Sequence, residues 1–207
     1  THVSAYLLKI EPDSAFGRKP PEGLPTSDEA ADFYLYAVEQ LEHHGYQQYE
    51  ISNFAQPGYE SRHNLKYWTL GEYAGFGPGA HSDFGGVRYA YVRDLDGYIG
   101  GRLILSESES DATLARDYEY VMLSLRTAEG IDRRYFETTY RQRFQPMEDL
   151  FVQYERTGLA ARTENGWRLT PRGFLVSNSI IVALEEALAT QKIRREQALA
   201  QRDYRII

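Results

Sequence analysis

The period of the apolar positions changes along the chain, and each change marks an element. His2–Ile10 is a continuous run of apolar and small residues, which predicts a buried strand. Glu11–Pro25 mixes Pro, Gly and charge and predicts a loop. Phe33, Ala37 and Leu41 recur at four-residue spacing and predict a helix from about Asp28 to His44. Thr26 and Glu29 have the spacing of a capping box, and Gly45 can close the helix in a left-handed conformation. Tyr49–Phe54 predicts a second strand. Strand, helix and strand in that order form the unit of parallel sheets and barrels.

Residues 55–86 lose this regularity and are rich in Gly, Pro, His, Asn and aromatics. They predict a loop with a short strand near Tyr73–Phe76, and a loop this long within a domain is usually functional. Val87–Leu95 predicts an edge strand. The polar run Ser106–Asp111 then marks a boundary.

From about Ala112 the period is helical. Leu114, Tyr118, Met122 and Leu125 form one stripe, Asp132–Gln142 a second helix, and Met147, Leu150, Phe151 and Tyr154 a third. Asn165-Gly166 is a strong hairpin signal. Thr170-Pro171 opens a further helix as N-cap and first residue, running to Leu188 with Phe174, Ile181, Leu184 and Leu188 buried. The chain therefore divides into an α/β unit (1–105), a mainly helical unit (111–190) and a charged tail (191–207). Helix, helix, hairpin and helix is a winged-helix order, which often binds DNA. Here Arg172 stands against Glu185 and Glu186 on the last helix, so a partner-docking or structural role is the better expectation.

Composition narrows the picture. The 207 residues are 42% hydrophobic and 26% charged, as in ordinary globular proteins. No apolar run is long enough to cross a bilayer, and the first residues do not read as a signal peptide. The abrupt strand-like start leads to the expectation of a preceding N-terminal part. A net charge of −7 argues against a large nucleic-acid surface. With no cysteine, the chain has no disulfides and cannot hold an iron–sulfur cluster on thiolates. A reducing cytoplasm fits that composition.

Candidate chemistry concentrates in Tyr49–Asp83. Residues 49–68 read YEISNFAQPGYESRHNLKYW, and 73–85 read YAGFGPGAHSDFG. A neutral histidine ligates iron well, flanking aromatics suit a planar ring, and closely spaced glycines let a ligand approach the backbone. The series from Gly75 to Gly79 opens no helix and is not a dinucleotide fingerprint. Arg62 suits a carboxylate partner, although a solvated arginine is the simpler reading. A lone histidine at position 63 would read as one hydrogen-bonded within an aromatic loop.

Taken in order, EISNFA, the Pro-Gly turn, His63-Asn64-x-x-Tyr67-Trp68 and Gly-x-Gly-x-Gly-Ala-His81-Ser82 resemble the HemW-type heme chaperones. These are relatives of the oxygen-independent coproporphyrinogen III oxidases in the radical S-adenosylmethionine superfamily. EYVMLSLRTAEGID (119–132) and Leu169–Gly173 are similar to the family's C-terminal domain. The resemblance covers almost the whole chain and is weakest in the tail.

The resemblance implies an α/β fold: the C-terminal part of a partial (β/α) barrel followed by a small, mainly helical, winged-helix-like domain. It implies that the Cys-x3-Cys-x2-Cys cluster motif, with its 4Fe–4S cluster and most S-adenosylmethionine contacts, lies in a preceding half. It implies heme binding by His63 with Asn64, Tyr67 and Trp68, His63 being the candidate iron ligand. It places Gly77, Gly79, Ala80, His81 and Ser82 on the S-adenosylmethionine or substrate side, with Glu50 and Asn53 at a strand end. His81 either faces the cavity or packs against glycine-rich backbone. The expected function is heme binding and transfer to a receiving protein. The alternatives are oxidative decarboxylation of coproporphyrinogen III and a non-enzymatic docking module. An open half-barrel exposes a sheet edge, so association, for example as a homodimer, or partial disorder is also expected.

Overall fold

The computed structural model of the chain describes residues 1–110 and 114–203. The expected start of the helical unit at Ala112, Asp111 at the boundary and the end of the tail lie outside the described residues. Strand β1 is His2–Ser4, followed by a short helix α1, Ala15–Arg18, and by α2, Ser27–His43. The capping box forms as expected: the Thr26 side chain accepts from the Glu29 amide, and the Glu29 carboxylate accepts from the Thr26 amide at 2.8 Å. Gly45 closes the helix at φ +84°. The buried face is rotated by one residue from the expected stripe. Tyr34 and Val38 pack inward, and Phe33 is 62% exposed.

The expected strand Tyr49–Phe54 reverses at Ile51-Ser52. It forms β2, Gln47–Glu50, and β3, Asn53–Ala55, which pair antiparallel. β3 also pairs antiparallel with β1, giving the order β1-β3-β2. The two strands flanking α2 therefore run parallel, as the strand–helix–strand reading requires, but β3 lies between them. β1 is short because its partner is short: register ends at Ser4 opposite Asn53. Beyond it Tyr6 is 71% and Leu8 66% exposed.

Ser61 caps α3, Arg62–Trp68. The expected strand near Tyr73–Phe76 is reduced to one bridge, Tyr73 opposite Asp83. β4, His81–Phe84, then pairs with β5, Val87–Tyr91. The one-turn helix α4, Leu95–Ile99, leads to β6, Leu105–Ser110. β5 is thus central, not an edge, because the polar run read as a boundary pairs with it as β6. Strand β6 is exposed along its whole length, which is why its sequence carries no apolar alternation.

The second unit runs α5 (Arg116–Ser124), β7 (Ile131–Asp132), α6 (Arg133–Tyr140), α7 (Gln145–Arg156), β8 (Ala160–Arg162) and β9 (Gly166–Leu169). Its three strands are antiparallel in the order β7-β9-β8. This is a winged-helix arrangement, with the hairpin as wing. Gly166 serves as a point of close approach to β7: a Cβ there would lie 2.1 Å from the Ile131 carbonyl oxygen. The helix expected from Pro171 breaks at Val176 into α8, Pro171–Leu175, and α9, Ser177–Asp203. Phe174, Ile181, Leu184 and Leu188 are all buried, as their spacing predicts.

The core is continuous across both units, from Tyr34, Val38 and Phe54 to Phe136, Phe151, Trp167 and Leu188. Backbone pairing joins them too. The Ile51 amide donates to the Arg126 carbonyl at 2.9 Å, and the Ala128 amide donates to the Tyr49 carbonyl at 3.0 Å. The outer edge of β2, which an open half-sheet would expose, is therefore covered by the chain itself.

Candidate functional site

Helix α3 has two faces that differ in chemistry. Asn64, Leu65 and Trp68 are half-buried on one, while Arg62, His63, Lys66 and Tyr67 are exposed on the other. The rotation of the helix is fixed at its start. The Ser61 hydroxyl accepts from the Asn64 amide at 3.2 Å, and the Asn64 side-chain amide donates to the Tyr49 hydroxyl at 3.4 Å. His2 Nε2 shares that hydroxyl at 2.9 Å, so β1, β2 and α3 meet at one phenol. Burial pushes the Tyr49 phenol up from its ordinary pKa.

On the outer face, the Tyr67 hydroxyl and His63 Nε2 are hydrogen-bonded at 3.0 Å, with their rings edge to face at 5.0 Å. Tyr67 in turn packs edge-on against Tyr73 at 4.6 Å. Tyr73 is anchored by reciprocal backbone hydrogen bonds with Asp83, each 2.9 Å. The exposed arc thus presents an imidazole and a phenol, backed edge-on by half-buried Tyr73, beside two cations. Among the described residues, no three His, Cys, Asp or Glu side chains are grouped to hold a bare metal ion. A single accessible histidine suits iron already carried in a macrocycle.

The inner face of α3 borders a cavity of about 1030 Å³ shared with the winged-helix unit. Tyr49, Trp68, Tyr120 and Tyr135 give it aromatic walls. Its charge is wrong for a tetrapyrrole dicarboxylate: Glu60, Glu129, Asp132 and Glu164 face Arg168 alone. The outer arc, with Arg62 and Lys66, has the complementary sign.

The glycine segment is held by its own chain. Gly75 donates to Ser82 Oγ at 3.0 Å, Gly77 to the Tyr98 hydroxyl at 3.1 Å and Gly79 to the Tyr91 carbonyl at 3.0 Å. A Cβ at Gly75 would lie 2.2 Å from the His81 carbonyl, and Gly77 adopts φ +110°. Here the glycines serve close backbone packing and a turn, next to Ala80 in the same loop. Ser82 is fully buried. His81 Nδ1 lies 2.8 Å from Glu107 Oε1 in a half-exposed pair across the sheet. His63 and His81 do not touch each other among the described residues.

Glu50 and Asn53 are buried at the β2–β3 turn. The Glu50 carboxylate accepts from the Ser52 amide at 3.3 Å, and burial pushes its pKa up. Asn53 accepts from the Ser4 hydroxyl and donates to the Tyr6 hydroxyl at 3.3 Å. The structure thus brings Asn64 together with Tyr49, and Tyr67 with His63, while Glu50 and Asn53 act in the hairpin.

Sequence reasoning missed one cluster. Asp83 receives Arg116 through both terminal nitrogens at 2.7 Å and Arg88 at 2.8 Å, and Glu119 pairs with both arginines. It straps the β4–β5 hairpin to α5. Arg116 beside Asp83 holds its carboxyl below the usual range. Its members come from β4, β5 and α5, and only the Arg116–Glu119 pair has a local spacing.

Residues 116–176 match the HemN C-terminal domain family. The fold is that of the structure described as "Coproporphyrinogen III oxidase (HemN) from Escherichia coli is a Radical SAM enzyme". The TM-score is 0.65 at 20% identity, over 88% of this chain and 47% of that one. More specifically, the chain is similar to heme chaperone HemW of Bacillus subtilis (33% identical, covering 88% of this chain and 50% of the relative). It is also similar to heme chaperone HemW of Escherichia coli (33%, 87% and 48%). The chain spans about half the length of the curated relatives it matches. No helix among the described residues is long and apolar enough to cross a membrane.

Proposed function

We propose that this chain supplies the heme-binding face of a HemW-type heme chaperone, working with a preceding radical S-adenosylmethionine half. The observation that carries this reading is the outer arc of α3. His63 stands exposed with Tyr67 and Tyr73 beside it, and Arg62 and Lys66 give the charge that two propionates need. His63 is the iron ligand. Asn64 and Trp68 seat the helix that presents it, against Tyr49 and the inner cavity. The likeness to HemW chaperones at 33% identity supports the same reading.

A 4Fe–4S cluster finds no thiolate in this chain, which has no cysteine, so none of its residues is assigned to one. In this reading S-adenosylmethionine meets the chain on the side of Gly77, Gly79, Ala80, His81 and Ser82, with Glu50 and Asn53 buried behind at the strand end. The protein works in the cytoplasm and passes heme to a receiving protein. Such a role asks the chain to hold a planar cofactor and let it go, and an exposed face suits that better than a closed pocket.

The test is titration of the full-length protein and its His63→Ala variant with hemin, followed by Soret absorbance. The variant is expected to bind more weakly and to show a displaced Soret band. Equal affinity with an unchanged spectrum removes His63 from the role. Anaerobic conversion of coproporphyrinogen III by the full-length protein would replace the chaperone reading with the oxidase one.

A further inference from the structure

The hydrogen bond between Tyr67 and His63 has a direct bearing on ligation. Of the two ring nitrogens, Nε2 is the farther from the backbone, so a broad flat macrocycle approaches through it more readily than through Nδ1. Nε2 is the atom that Tyr67 holds, at 3.0 Å. With the proton on Nδ1, the Tyr67 hydroxyl donates into the Nε2 lone pair, the same pair that iron needs. With the proton on Nε2, that N–H donates to the Tyr67 oxygen, and the proton must move to Nδ1 through solvent before iron can bind. In both tautomers one bond is exchanged for the other.

Tyr67 is also backed in place. Its ring packs edge-on against Tyr73 at 4.6 Å, and Tyr73 is pinned to Asp83 by paired backbone hydrogen bonds. The hydroxyl therefore stays poised to retake the nitrogen when iron leaves. The two residues sit one turn apart on α3, so the pairing is built into the helix.

We propose that Tyr67 is a positioning residue that competes with heme iron for His63 Nε2 and so keeps heme on this face loosely held and quick to release. The inference rests on the reading of His63 as the iron ligand. When iron binds, the Nε2 to Tyr67 hydrogen bond breaks, the iron–nitrogen bond forms, and the phenol turns to water or a propionate without changing its own protonation.

The experiment uses the full-length protein with hemin, and release is measured by transfer to excess apomyoglobin. Tyr67→Phe keeps the ring and removes the competitor. It is expected to tighten binding about 2- to 12-fold, the net worth of one hydrogen bond, and to slow release correspondingly. The Soret position should stay where it is, because His63 remains the ligand. In a His63→Ala background the same change should have no effect. A readout without heme is acylation of His63 by diethyl pyrocarbonate, followed by mass spectrometry, which should be faster in Tyr67→Phe.

Unchanged or weaker hemin binding by Tyr67→Phe, with His63→Ala still impaired, overturns the competition while leaving the ligand assignment standing. Unchanged binding by His63→Ala itself overturns both. Faster acylation with unaltered hemin release also counts against the proposal, because the hydrogen bond would then exist without governing the cargo.

Discussion

Replacing Asp83 by Asn tests the strap that holds the glycine segment and β4 against the winged-helix unit. The substitution keeps the shape and removes the charge. Asp83 makes three short charge-assisted contacts, two to Arg116 at 2.7 Å and one to Arg88 at 2.8 Å. The side chains involved are 13–28% exposed, so solvent screens them only in part. Hydrogen bonds to charged groups contribute about 1.5–3 kcal/mol each, but the amide retains one acceptor oxygen and Glu119 still partners both arginines. Removing one member of a largely buried network also leaves charge unmatched. We expect a loss of about 2–4 kcal/mol, or a fall in Tm of roughly 4–16 °C for a chain of this size.

The pH dependence gives the sharper check. Arg116 beside Asp83 depresses its folded pKa below the unfolded value. The stability it contributes is then fully present above the unfolded pKa and lost as pH falls through the folded one. Thermal unfolding of wild type and Asp83→Asn should differ at neutral pH and converge in acid. Asp83→Asn with Arg116→Gln should cost less than the two single changes added together. A difference below about 0.5 kcal/mol, or one that stays constant into strong acid, would falsify the strap.

Two further outcomes follow from buried groups. Burial raises the Glu50 carboxyl, so its contribution is most favourable below the unfolded pKa and declines as pH rises through the folded value. Glu50→Gln should therefore raise Tm at neutral pH, with the gain vanishing in acid; a lower neutral-pH Tm would show that the carboxylate's acceptor bonds outweigh its burial. Phe151 lies parallel to Phe144 at 6.1 Å and Trp167 at 5.3 Å, all buried. Phe151→Ala should cost about 3–5 kcal/mol in urea unfolding and Phe151→Leu much less, whereas equal costs would refute a packing role.

What was legible in the sequence is what neighbours along the chain decide. The Thr26 capping box, the helix it starts and the buried positions of the last helices follow from contacts three or four residues apart. The pairing of His63 with Tyr67 is not among these: residues 55–86 read as loop, and α3 lies within them. The missed features depend on distant partners. LSESES is a strand only because β5 lies beside it, and its exposure on all sides removes the alternation that would mark it. Tyr49–Phe54 reads as one strand because nothing in its apolar pattern records the reversal at Ile51-Ser52. The single helix expected from Pro171 ignores the break at Val176.

The two faces of α3 carry the remaining step. A flat dicarboxylate cargo could be drawn to the larger cavity on the inner face, where Trp68 and three tyrosines offer stacking surface. Stacking contributes about 0.5–1.5 kcal/mol per aromatic pair beyond area burial. Placing two propionates among four carboxylates against one arginine opposes this, because unit like charges at 4 Å repel by about 4 kcal/mol even at an effective dielectric of 20. On the outer face the signs are favourable and the nitrogen is present, but water has access. In the proposed heme-binding reading the balance favours the outer face for cargo and makes its hold weak, as transfer to another protein would require. The inner cavity is then the volume across which α3 meets the winged-helix unit, and its aromatic walls belong to the seating of the helix that carries His63.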